Sequence, residues 1–197
     1  QTRVWEPETR RWTVSELPAG RSPGADFRFQ LTDARFGVLD GGSVIMLVRN
    51  ERGSGAWRFA AGKWVDAPDL LAGLELDGQP VFTARAGRDR GVRLRDIDAD
   101  GVCDLIVGNE SQNAVFSWDT AGRAWNRRPF GLPPGVSVVN GRSEDNGLRF
   151  VDLNGDEVDD VIFSNEERYV IALMVPRLIL GFQPGGSREV IRGARGQ

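Results

Sequence analysis

The chain has 197 residues, 28 acidic against 25 basic side chains, a formal net charge of −3, one cysteine and no histidine. This length accommodates one or two domains with a buried core, and the acidic balance, with arginines scattered rather than clustered, leaves no basic footprint for nucleic acid. Without histidine the chain builds no His-ligated zinc or haem site, no imidazole acid–base step and no Ser-His-Asp triad, and the lone Cys103 forms no intrachain disulfide.

Lys63 is the only lysine, and so strong an arginine bias reads as a genome rich in G and C rather than as a phosphate-reading surface. No positively charged start followed by an apolar run occurs at Gln1, so no secretory signal stands in this sequence, although processing would remove one. The most apolar stretch, Val170 to Phe182, is interrupted by Pro176 and Arg177. It falls short of the ~20 residues of a membrane span and reads as strand.

In chain order, the tryptophans come first. All six fall into pairs with one spacing, Trp5/Trp12, Trp57/Trp64 and Trp118/Trp125. That spacing puts each pair across a hairpin turn on neighbouring strands, where the two rings pack as a cross-strand aromatic pair. An exposed aromatic platform for sugar rings is the alternative. Between the pairs an aspartate-rich loop recurs: DIDADGVCDLIVGN from Asp96 returns as DLNGDEVDDVIFSN from Asp152, 56 residues on. A degenerate copy from Asp40 to Asn50 lacks three residues, keeping the strand and losing the loop. Each copy closes on an Asn-Glu pair, Asn50-Glu51, Asn109-Glu110 and Asn165-Glu166. There the Asn suits a hairpin turn and the Glu a solvated position. A motif with a fixed period belongs to an architecture before it belongs to an active site.

The clearest copy, 92–132, divides into four strand-like segments: Val92 to Asp96, Leu105 to Gly108, Ala114 to Trp118 and Ala124 to Phe130. The second is a short apolar run suited to burial on both faces, and Phe116 and Trp118 share one face of the third at period two. Four short strands per repeat predict an all-β fold, a β-propeller of four-stranded antiparallel blades. Residues 1–17 supply the outer hairpin of one blade, 27–72 a degenerate blade, and 90–132 and 147–192 blades with acidic loops. The last has an insertion around Pro176 to Pro184 in place of the tryptophan hairpin. This is about three and a half blades, short of closure, so 1–197 reads as a partial propeller within a longer protein. The crossings Leu76 to Gly91 and Pro133 to Asn146 would carry variable binding loops.

Asp96, Asp98, Asp100 and Asp104 stand at positions 1, 3, 5 and 9 of a tight loop, with Gly101 at position 6 and the backbone carbonyl of Val102 at position 7. Such a density of carboxylates suits a hard cation taking six to eight oxygens, calcium above all. The loop is not an EF-hand, because Val107 stands where a bidentate Glu is required and strands flank it.

These residues resemble the Asp-x-Asp-x-Asp-Gly-x-x-Asp loops of FG-GAP and VCBS repeats, the blades also found in integrin α-chain propellers. The resemblance implies calcium ligands at Asp96, Asp98, Asp100, Val102 and Asp104, and in the next blade at Asp152, Asn154, Asp156, Val158 and Asp160. The second loop departs from the pattern at Glu157, where glycine is usual and a positive φ would cost about 1 kcal/mol. The ion's role would be to staple a turn. Catalysis would need an open coordination position and a nearby base, and no base stands out. More loosely, SNEERYVIAL and SREVIRGARG are similar to repeat regions of large secreted planctomycete-type proteins with sugar-dehydrogenase-like and cytochrome c segments. Two readings follow: a non-catalytic, secreted or periplasmic scaffold meeting a protein or glycan partner, or the accessory propeller of an oxidoreductase whose catalytic residues lie elsewhere.

Overall fold

The computed structural model describes residues 2–15, 20–22, 25–27, 29–174 and 187–194; the expected insertion around Pro176 to Pro184 lies outside them. Within these residues the chain is all-β, with short 3-10 turns and no α-helix. Among the described residues no helix is long and apolar enough to cross a membrane. The strands, in order, are β1 (Thr2–Glu6), β2 (Arg11–Ser15), β3 (Gly20–Ser22), β4 (Ala25–Phe27), β5 (Arg35–Leu39), β6 (Ser43–Asn50), β7 (Gly53–Ala60), β8 (Lys63–Asp66), β9 (Glu75–Leu76), β10 (Gln79–Pro80), β11 (Ala84–Arg85), β12 (Arg88–Asp89), β13 (Val92–Arg95), β14 (Asp104–Gly108), β15 (Asn113–Asp119), β16 (Ala124–Arg127), β17 (Leu148–Val151), β18 (Asp160–Ser164), β19 (Arg168–Met174) and β20 (Ser187–Ala194).

Three four-stranded antiparallel meanders result: sheet I (β5-β6-β7-β8), sheet II (β13-β14-β15-β16) and sheet III (β17-β18-β19-β20). The remaining strands pair as two-stranded hairpins. In sheets I and II the second strand is the most deeply buried segment. In sheet II it is buried along its whole length, Asp104–Gly108, as its continuous apolar sequence requires. These residues close no ring.

Alternation of side chains gives each sheet two faces, and the sheets stack face to face. Leu39, Ile45, Leu47 and Ala56 on the rear of sheet I form one core with Val92, Leu105, Val107 and Phe116 on the front of sheet II. Ile106 and Val115, on the rear of sheet II, form a second core with Leu148, Phe163, Val170 and Ala172 on the front of sheet III. Side chains such as Phe116 and Phe163, wholly buried in these cores, each contribute about 1.5–3 kcal/mol. A third cluster, Met46, Val48 and Trp57, lies on the front of sheet I. The sheets approach closely: a Cβ at Gly37 would stand 2.8 Å from Leu94 Cβ.

Two expectations need correction. Trp5 faces Trp12 and Trp118 faces Trp125 directly across their hairpins, but Trp57 faces Asp66 and Trp64 faces Phe59. Ala61 and Gly62, both at positive φ, form a two-residue turn centred one residue later than equal pairing of the tryptophans would need, which slides the register by two. Trp64 therefore packs edge-on against Phe59 at 5.2 Å. The fourth strand of sheet II also ends early, at Arg127 rather than Phe130, because Pro129 has no N–H for the ladder.

Candidate metal centre

The first acidic loop joins β13 to β14 and is built by its own side chains. Asp96 accepts the N–H of Asp100 on Oδ1 (3.1 Å) and that of Gly101 on Oδ2 (2.9 Å), and Asp100 Oδ1 accepts from Val102 N–H (2.8 Å). Ala99 and Gly101 take positive φ, 55° and 83°, curling the chain so that the three alternate aspartates converge. Asp96, Asp98 and Asp100 each bring a carboxylate oxygen to within 4.8 Å of the others. Oxygens bound to one calcium at 2.3–2.6 Å lie at most about 5 Å apart, so this donor set fits a single calcium ion.

Asp104 stands apart from the converging three. It is buried, accepting from Ser117 Oγ at 2.5 Å. Burial pushes its carboxyl up to about 7, the charges of Asp98 and Asp100 add to the rise, and the Ser117 hydroxyl and Ile97 N–H oppose it. A bound cation would supply the positive charge this acidic group lacks. The Val102 side chain packs on the core shared by sheets I and II, which pins the end of the loop, while Asp96 and Asp98 are half-buried and Asp100 is exposed.

The second loop, between β17 and β18, repeats the frame. Asp152 Oδ1 accepts from Gly155 and Asp156 N–H, its Oδ2 from Glu157 N–H, and Asp156 Oδ1 from Val158 N–H. The exposed Asp152 carboxyl lies below its ordinary range: slight desolvation raises it, and the ring of backbone donors from Glu157, Gly155, Asp156 and Asn154 outweighs that. One difference weakens the donor set: Asn154 replaces a carboxylate and donates its Nδ2 to Asp156 Oδ2 at 2.9 Å. Asp160 is buried like Asp104 and accepts from the matching N–H, Leu153 (3.0 Å), and from Met174 N–H (2.8 Å) where Asp104 accepts the Ser117 hydroxyl. Val158 is buried in the core between sheets II and III. Glu157 takes φ 68°, the strained conformation its sequence position implies.

In sheet I the loop is reduced to the turn Asp40–Gly42, and its surviving aspartate has another task. Asp40 accepts from Trp118 Nε1 (3.1 Å) and Thr120 Oγ1 (2.6 Å), fastening the outer hairpin of sheet II to sheet I. Cys103 joins the same seam, its N–H donating to Val38 O (2.8 Å) and its Sγ accepting Val38 N–H (3.3 Å).

The opposite ends of the sheets carry the Asn-Glu turns. Asn109 Oδ1 accepts from Ser111 and Gln112 N–H while its Nδ2 donates to Arg90 O, and Asn165 repeats this with Glu167 and Arg168 N–H and with Asn146 Oδ1. Glu110 and Glu166 are exposed, whereas Glu51 accepts the Ala86 N–H at 2.9 Å. The Asn109-Glu110 and Asn165-Glu166 turns and the 135–149 crossing line an open polar groove of about 1070 Å³.

One motif escaped the sequence reading, although the same 56-residue offset reveals it. Asp89, Gly91 and Arg93 return as Asp145, Gly147 and Arg149. In both, the aspartate accepts the glycine N–H (2.7 and 2.9 Å) and pairs with the arginine (2.9 and 2.8 Å). Both glycines have positive φ and sit where a Cβ would strike the carbonyl oxygen of Gly108 or Ser164. Asp89 also holds Arg35, a buried guanidinium that donates to the carbonyl oxygens of Val92, Thr83, Thr32 and Ala34.

Fold and site together define an all-β repeat protein with acidic inter-strand loops. Residues 96–163 match the FG-GAP-like repeat family, a stretch running from the first aspartate of the first loop into β18, past the second loop. No curated protein and no solved structure matches the chain.

Proposed function

We propose that the chain is a non-catalytic recognition scaffold whose four-stranded units are propeller blades, stapled by calcium in the first acidic loop. The observation that carries this reading is the convergence of Asp96, Asp98 and Asp100 within 4.8 Å, inside a stretch that matches an FG-GAP-like repeat. The ion's role is structural. It neutralises carboxylates that repel one another and fixes the turn at the seam between sheets I and II. Residues 1–197 then amount to about three and a half blades of a larger propeller. Loops of this kind load at the calcium concentrations found outside cells or in the periplasm, which is where the module would work.

Recognition falls to the face away from the metal loops. There the Asn109-Glu110 and Asn165-Glu166 turns and the 135–149 crossing form a groove rich in amide, carboxylate and guanidinium groups. Its chemistry suits the hydrogen-bonding surface of a protein or glycan.

Calorimetric titration with calcium tests the metal assignment. Wild type should bind with a heat that Asp98→Asn and Asp96→Asn reduce at least tenfold in affinity, and its Tm should rise with calcium by mass action. Absence of binding heat together with calcium-independent melting would overturn the assignment.

A further inference from the structure

The polar groove lies between sheets II and III, so both of its walls belong to the chain. Most of its polar side chains are engaged within the protein. Asn109 and Asn165 hold their turns, Asn146 donates to Ser137 Oγ, and Asp145 is paired with Arg149. Arg168 differs. It is half-buried, its Nε is buried without a partner, and among the described residues its guanidinium makes no ion pair or hydrogen bond. A Cβ at Gly135 would stand 2.8 Å from Arg168 Nη1 and 3.8 Å from Arg192 Nη1. Arg192, on β20, is steered there by donating its Nη2 to Pro134 O at 2.9 Å. Two guanidinium groups thus flank one point above the crossing, where their charges repel. In sheet II, 56 residues earlier, the same turn position holds Gln112, whose Oε1 folds back to accept Asn109 Nδ2 at 3.3 Å. The turn itself therefore does not require an arginine.

We propose that Arg168, with Arg192 beside it, binds a single carboxylate, the side chain of an Asp or Glu presented by an extended segment of a partner protein. This rests on the groove being the recognition face and names the chemistry it recognises. A desolvated guanidinium nitrogen with no acceptor is costly, and an arriving oxyanion removes that cost along with the repulsion between the arginines. The planar fork of Arg168 matches the two oxygens of a carboxylate. Charge sets the limit on what enters. Glu110, Glu166 and Glu167 are exposed and line the same groove, so they repel a phosphate dianion or a run of acidic residues and favour one carboxylate with neutral or basic neighbours. No aromatic side chain lines the groove. A sugar ring finds nothing there to stack on, which favours a polypeptide over a glycan.

NMR of the Arg168 Nε–H in the full chain, with calcium present, tests the site. Titration with the blocked peptide Gly-Ser-Asp-Ser-Gly should shift that signal saturably, and the twin peptide with Asn in place of Asp should leave it unmoved. Arg168→Gln, which installs the side chain sheet II carries at this position, should weaken the peptide roughly tenfold or more by calorimetry while calcium still binds. Should that variant misfold, as read by circular dichroism, Arg192→Gln should also weaken the peptide, and the wild-type shift needs no variant. No saturable shift, an equal response to the Asn twin, or wild-type affinity in a folded Arg168→Gln would overturn the carboxylate site. An equal response to inorganic phosphate would overturn its selectivity, and tighter binding of digalacturonate would overturn the choice of a polypeptide. Calcium binding retained alongside any of these failures leaves the calcium-stapled scaffold standing, so the two readings fail separately.

Discussion

Four residues in two loops hold backbone of positive φ, and the glycines among them have traded places. In the first loop the pair is Ala99 and Gly101; at the same offsets in the second it is Gly155 and Glu157. Each loop therefore carries one residue whose Cβ is strained, at a cost of about 1 kcal/mol. Glu157→Gly should raise stability by up to about 1 kcal/mol, roughly 2–4 °C in Tm for a chain of this size, measured in chelator so that metal binding does not intervene. Gly101 has nothing within 4 Å of a built Cβ, so Gly101→Ala should lose stability through backbone strain alone. Asp89 sets a different dependence. Burial raises its carboxyl and Arg93 and Arg35 more than reverse that, so the folded pKa lies below the unfolded one. Its contribution is complete above the ordinary carboxylate range, near pH 4, and is lost as pH falls through the lowered value. Urea melts between pH 3 and 7 should show a steeper acid loss in wild type than in Asp89→Asn; equal slopes would assign the acid limb to other carboxylates.

At the scale of elements, the repeat made most of the strands legible. Period-two alternation located β15, and the continuous apolar run located β14 to within a residue. The acidic spacing likewise brought Asp96, Asp98 and Asp100 to one place. What stayed hidden depended on turn geometry or tertiary burial. The identical spacing of Trp57 and Trp64 gave no sign that Ala61 and Gly62 would form a shorter turn and move the register. Asp104 has the same residue type as its loop neighbours, and only the packing of β14 against β15 turns it inward to Ser117. The arginine bias, read as genome composition, left no hint that Arg35 would be buried as a hub between sheets I and II. The Asp-x-Gly-x-Arg staple was within reach of the same offset comparison, but its residues are common in loops and carry no chemistry by spacing alone.

For the whole molecule, the sheets are layers whose seams coincide with the acidic loops. The Cys103 bonds to Val38 and the Arg95–Asp159 pair both join an acidic loop to the first strand of the preceding sheet. Ordering such a loop therefore also orders the contact between units. Hydrogen exchange with and without calcium measures this most directly. The account predicts slower exchange with calcium at the N–H groups of Asp100, Gly101 and Val102, spreading to Val38 and β13 across the seam. Exchange at those sites that is the same in calcium and in chelator would contradict it.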